Sequence, residues 1–178
     1  FSLSHSHTHT HTHTGTSLSQ ARLYLSGNKD NLVALVPEKL SYLKNTCRDA
    51  ETGEFMTERA SDLLEGYAVE MKYVLRIKNY SRMRRIYPRT RTKNMTSAVE
   101  DSRTMGPLRE SGGRMWMHFR NFSEAYNEFF DSFKAYEEAG KSLEAKVCIK
   151  YLVVANLLDA GGHVNPFAAR EIAAYVQN

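Results

Sequence analysis

Five histidines alternate with serine or threonine in HSHTHTHTHTG, from His5 to Gly15. Imidazoles at every second position could be offered to a zinc or copper ion. On a flexible tract they would hold it only weakly. A simpler origin gives the same letters: a CA dinucleotide repeat read in triplets alternates CAC with ACA, which is His-Thr repeated. A translated simple repeat is the favoured reading, and a disordered spacer and metal binding rank behind it. Residues 1–17 are read as a low-complexity tail, expected to be disordered, and no metal or cofactor is expected. His118 and His163, the remaining histidines, have no partner at ligand spacing and are read as structural or surface residues.

Other chemistry is as sparse. Cys47 and Cys148 stand alone without CxxC spacing, which fits a reduced intracellular compartment better than a disulfide scaffold. There is no P-loop, GxSxG or HExxH motif, and no carboxylate pairing beyond what helix surfaces carry by chance. Nothing strand-like precedes Gly112–Gly113, so the pair is not a phosphate loop; inside a helix it is expected to permit a close crossing or a kink. Trp116, in RMWMHF, is read as helix-core packing, with a docking contact as the alternative. No enzyme is expected.

Charge is unevenly placed. The net charge is +4, yet Met71–Val99 carries nine Lys or Arg and no acid, while Glu124–Glu144 carries six acids against Lys134 and Lys141. Arg82, Arg84, Arg85, Arg89 and Arg91 form the candidate patch for an acidic partner; the blander reading is a solvated helix face running into a basic loop.

The elements that would position these residues are helical throughout. At 178 residues and 42% hydrophobic the chain is about one domain's worth and can bury a core. Leu63, Leu64, Tyr67, Met71, Val74 and Leu75 recur at steps of three and four, with Thr57 as candidate cap. Tyr126, Phe129, Phe130, Phe133 and Tyr136 do the same, capped by Ser123 and closed by Gly140. Residues 142–160 are apolar on more than one face, as in a helix between neighbours. Ala168–Val176 reads as a further short helix, and Tyr87–Arg103 as a loop or a helix with an insertion. GNKDNL, RIKNYSRM and HFRNFSEA each place a basic residue and an asparagine before a new helix, at spacings near 48 and 42 residues. Periods of that size mark stacked helix pairs. The expected fold is all-α, a right-handed helical-repeat (TPR-like) solenoid of antiparallel helix pairs over residues 18–178. The longest apolar run, Cys148–Leu158, is interrupted by Lys150 and Asn156, so a soluble protein is expected. Nothing at the N-terminus has the pattern of a signal peptide.

Several stretches are specific enough to name a family. RESGG at Arg109–Gly113, EFFDSFKAY at Glu128–Tyr136, KYLVVANLL at Lys150–Leu158 and NPF at Asn165–Phe167 resemble the subunit 2 family of the COP9 signalosome, a PCI family. LLEGYAVEMKYVLRIKN at Leu63–Asn79 and RLYLSGNKDNLVALVPEKLSYLKNTC at Arg22–Cys47 extend the resemblance upstream, more thinly. The related PCI subunit of the proteasome lid is the runner-up, and the NPF favours the signalosome. An RNA-associated PCI protein is a third reading, supported only by the basic stretch with Tyr73, Tyr80 and Tyr87 near it.

The resemblance implies a non-catalytic scaffold, in nucleus and cytoplasm, for removing NEDD8 from cullin–RING ubiquitin ligases. Its implied partners are the other signalosome subunits and the cullin–RING ligase; neither membrane nor nucleic acid is an expected partner. In the family, further repeats precede the segment matching Leu18 onward, and a winged-helix module follows. Neither is in this sequence, which begins at Phe1, so it reads as the helical-repeat part of such a subunit, a fragment or an imperfect gene model.

Overall fold

The computed structural model describes residues 16–27, 33–49, 52, 55–56, 59–91 and 101–159. The tail histidines, His163, Thr57, residues 28–32 of the first repeat motif and the Ala168–Val176 helix lie outside the described residues. The chain divides into two compact units, Phe1–Glu100 and Asp101–Asn178. Among the described residues the first unit holds α1 (16–26), α2 (Val36–Thr46), α3 (Ala60–Arg76) and α4 (Tyr80–Thr90). The second holds α5 (Ser102–His118), α6 (Phe122–Glu138) and α7 (Ser142–Leu158). Seven helices and no strand among the described residues make the protein all-α, as expected of a helical-repeat chain.

Three of the links between helices are built alike. Lys78 (φ 55°), Arg120 (φ 57°) and Gly140 (φ 71°) are left-handed, each at the second position of a three-residue link. The next amide reaches back to close the preceding helix: Asn79 N–H donates to Val74 O (3.0 Å), Asn121 N–H to Trp116 O (3.0 Å) and Lys141 N–H to Tyr136 O (2.8 Å). The left-handed residue donates one turn in, Arg120 N–H to Met117 O at 3.1 Å and Gly140 N–H to Glu137 O at 2.9 Å. This is the Schellman arrangement, which satisfies carbonyls the helix end would leave open. The residue after it caps the following helix: Asn79 Oδ1 accepts from Arg82 N–H (3.0 Å) and Asn121 Oδ1 from Glu124 N–H (3.3 Å). The basic-Asn pairs of the sequence repeat are therefore a helix stop followed at once by a helix start. The cap of α6 is Asn121 rather than Ser123, which stands in the first turn. Links this short between packed helices make the neighbours antiparallel.

In the second unit, glycine and aromatic residues set the register. Gly106 and Gly113 lie seven apart on α5, and Phe129 and Tyr136 lie seven apart on α6. A Cβ at Gly106 would meet the Tyr136 ring at 2.8 Å, and one at Gly113 the Phe129 ring at 2.6 Å. Each ring rests on bare backbone, so the pair permits a close crossing and α5 runs unbroken through it. Ala125, Phe129, Phe133 and Tyr136 pack against Ala145, Cys148, Leu152 and Ala155 of α7. Trp116 lies half-buried against this cluster, in the packing role expected of it. Ser132 Oγ donates to Gly106 O (2.8 Å), which leaves the Cys148 thiol, 3.2 Å away, to donate to Ser132. Burial pushes that thiol up to about 11, so it stays protonated and unreactive.

In the first unit α3 lies between α2 and α4. Gly66 takes the Leu43 side chain of α2 against its backbone. Arg76 closes the end of α1, donating to Leu25 O (2.8 Å) and Gly27 O (3.0 Å). The stretch Tyr87–Arg103, expected as a loop or an interrupted helix, splits: Tyr87–Thr90 complete α4, residues 92–100 lie outside the described residues, and Ser102 opens α5. Pro88 is accommodated inside α4 and Pro107 inside α5. Asp101 caps α5, accepting from Arg103 N–H at 3.1 Å.

The links give a test of this geometry. A side chain at a left-handed position costs about 1 kcal/mol or more, so Gly140→Ala should lower the unfolding free energy by roughly that amount. Arg120→Gly should raise it by about 0.5 kcal/mol, relief of strain being partly offset by glycine's freedom in the unfolded chain. Urea denaturation followed by circular dichroism reads both; shifts of the same sign would contradict the shared left-handed geometry.

Candidate partner-binding surface

The five candidate arginines ride on α4, and its inner face explains why they stand where they do. Met83, Ile86, Tyr87 and Thr90 are buried at steps of three and four. That leaves Arg84, Arg85 and Arg89 on the outer side, with Arg91 exposed at the C-terminal cap. No acid lies in the helix, so Arg85 and Arg89, one turn apart, repel by a few tenths of a kcal/mol. For Arg89 and Arg91, the partial negative charge of the helix C-terminus offsets part of that.

Arg82 is different: it points inward. Its guanidinium donates to Glu70 Oε1 at 2.8 Å, and the other Glu70 oxygen accepts from Lys44 of α2. Glu70 is only 3% exposed, so one buried carboxylate joins all three helices of this layer. A buried carboxylate is tolerable only with such partners. Lys44 also lies over the Tyr67 ring, 4.8 Å from its centre. Burial pushes the Tyr67 hydroxyl up, and the Arg89 guanidinium hydrogen-bonded to it works the other way. Arg82 is thus structural and Arg89 partly so, while Arg84, Arg85 and Arg91 carry positive charge into solvent.

Glu70 escaped the sequence reading, although a signal was present: it stands three residues after Tyr67 and next to Met71, on the apolar stripe of α3. The second unit repeats the device. Glu128, on the apolar stripe of α6 and 2% exposed, accepts from Arg109 Nη1 at 3.1 Å. Glu110 accepts from the Tyr136 hydroxyl (2.7 Å) and pairs with Arg114 (2.5 Å), which lies over the Tyr151 ring at 4.7 Å. Among the described residues no three His, Cys, Asp or Glu side chains gather as a metal site, and no helix is long and apolar enough to cross a membrane. His118 is exposed, its ring edge-on to Phe119.

Truncating one member of a buried ion pair leaves a charge without its partner. Glu70→Ala should therefore destabilise the chain by about 3 kcal/mol, whereas Arg84→Ala and Arg85→Ala should stay within about 0.5 kcal/mol of the parent. Thermal and urea unfolding compare them; an Arg85→Ala variant as damaged as Glu70→Ala would place Arg85 in the core network instead.

No protein-family model matches the chain. Among curated proteins it is similar to COP9 signalosome complex subunit 2 of Drosophila melanogaster, with 35% identity over 136 residues, 76% of this chain and 30% of that protein. The Schizosaccharomyces pombe subunit 2 is 38% identical over 120 residues, 67% of this chain and 26% of that one. The Emericella nidulans subunit 2 is 34% identical over 155 residues, 87% of this chain and 29% of its own length. The chain spans less than a third of the length of these relatives.

Proposed function

The chain belongs to the COP9 signalosome complex subunit 2 family, and from that membership we propose that it acts as a non-catalytic scaffold subunit of the signalosome. In this reading it supports removal of NEDD8 from cullin–RING ubiquitin ligases by holding other proteins, in nucleus and cytoplasm. The observation that carries it is the similarity, spread over both units, to relatives that all bear the same subunit name. Three features of the chain support a binding role. Its polar side chains are largely spent on capping and on tying helices together. Helical repeats present extended faces suited to proteins. The outer side of α4 concentrates uncompensated positive charge, which speeds encounter with an acidic surface and selects against basic ones.

Arg84, Arg85 and Arg91 are the contacts proposed for an acidic face of the cullin–RING ligase, with Arg89 contributing from its place beside Tyr67. The other signalosome subunits would bind elsewhere, so the two kinds of contact are separable by mutation.

The test is to express the tagged full chain in its own cells and identify co-purifying proteins by mass spectrometry, alongside an Arg84→Glu/Arg85→Glu variant. The parent should recover signalosome subunits, including the isopeptidase, together with cullins. The variant should keep the subunits and lose cullin by about tenfold, in a salt-sensitive manner. Recovery of proteasome lid subunits or RNA in place of the signalosome, or cullin capture indifferent to both substitutions, would overturn the reading.

A further inference from the structure

α7 is apolar on two opposite sides. Ala145, Cys148, Leu152 and Ala155 are buried against α6. At 3.6 residues per turn, Leu143, Val147, Val154 and Leu157 fall on the far side, with Leu158 at its edge. All five are exposed, Leu157 at 77% and Leu143 at 76%. Single exposed leucines are ordinary, but a stripe of five running about 20 Å along one helix marks an interaction face. The expectation of a helix covered on both sides is thus met on one side only.

The charges on this face narrow what can cover it. Lys150 sits at the middle of the stripe and Lys146 at its edge, both exposed, while Glu144 stands off to one side. A second copy laid on the same face, parallel in register or antiparallel about the stripe's centre, would bring Lys150 against its counterpart. Like charges facing each other across an apolar seam oppose that pairing. A carboxylate in the same place would favour it.

We propose that the outer face of α7 is a docking site for an amphipathic helix of a different polypeptide, one whose apolar stripe carries a carboxylate at its centre to meet Lys150. Leu143, Val147, Val154 and Leu157 bury the partner's stripe, and Lys150 sets its register. The inference goes beyond the signalosome reading and rests on α7 alone.

The test uses the full chain and two fluorescein-labelled helical peptides, identical leucine-striped 20-mers with either Glu or Lys at the central position. Fluorescence anisotropy should show the Glu peptide bound in preference. Leu157→Asp, at an exposed position, should weaken it at least about tenfold, and Lys150→Glu should reverse the preference between peptides. Arg84→Glu/Arg85→Glu should leave peptide binding unchanged, so this inference and the cullin assignment can fail separately. Three outcomes would overturn it. The first is equal binding, or no binding, of the two peptides. The second is a concentration-dependent dimer, seen by sedimentation and abolished by Leu157→Asp, which would give the face to a second copy. The third is a Leu157→Cys chain that resists a bulky maleimide although Cys47 and Cys148 are buried and silent, which would give the face to the chain's own residues.

Discussion

A three-residue link with one left-handed residue at its centre governs both units. It stops one helix, starts the next, and leaves too little chain for anything but an antiparallel neighbour. In the second unit the links recur at a constant interval: α5, α6 and α7 each span 17 residues. Equal helices joined by equal links keep the same face inward at every step, so the aromatic stripe of α6 meets the small residues of α5 and α7. With the register set, Tyr136 can settle on Gly106 and Phe129 on Gly113, and the Ser132 hydroxyl can reach the Gly106 carbonyl. Two of the three links place Lys or Arg where glycine would be easier, and pair it with an asparagine that repays the strain by capping the next helix.

Charge is sorted against this frame. Each unit buries one glutamate on the apolar stripe of a middle helix and satisfies it with cations from its neighbours: Glu70 with Lys44 and Arg82, Glu128 with Arg109. A burial of that kind contributes little net stability but penalises any packing that parts the partners. It also divides the basic run of the sequence. Arg82 turns inward to hold α4 on α3, and that attachment is what presents Arg84 and Arg85 to solvent. The structural and functional arginines are therefore neighbours in sequence with opposite jobs, separated by the 200° between positions two residues apart on a helix.

Much of this was legible beforehand, for physical reasons. Periodicity of three and four exposed the helices, Gly140 marked a helix end, and the paired glycines of α5 announced a close crossing. The repeated basic-Asn pairs were recognisable as a motif, but not as left-handed stop and cap, because nothing in the letters says that a lysine or arginine carries a positive φ. Ser123 looked like a cap by residue type; Asn121 took the role because the preceding helix ends just before it. Composition treated the five arginines alike, since only the third dimension shows Glu70 beneath Arg82. The double apolar character of α7 was visible, but which of its sides is covered was not.

A chain so organised acts by presenting surfaces: a basic one on α4 and an apolar one on α7, each carried on a helix whose other side is locked into its unit. The most direct measurement of that claim is hydrogen–deuterium exchange of the chain alone and bound within purified signalosome engaged on a cullin–RING ligase. The account predicts added protection concentrated in peptides covering Tyr80–Arg91 and Ser142–Leu158, with α6, already buried in its unit, little changed. Protection spread evenly over all helices, or confined to α6, would contradict it.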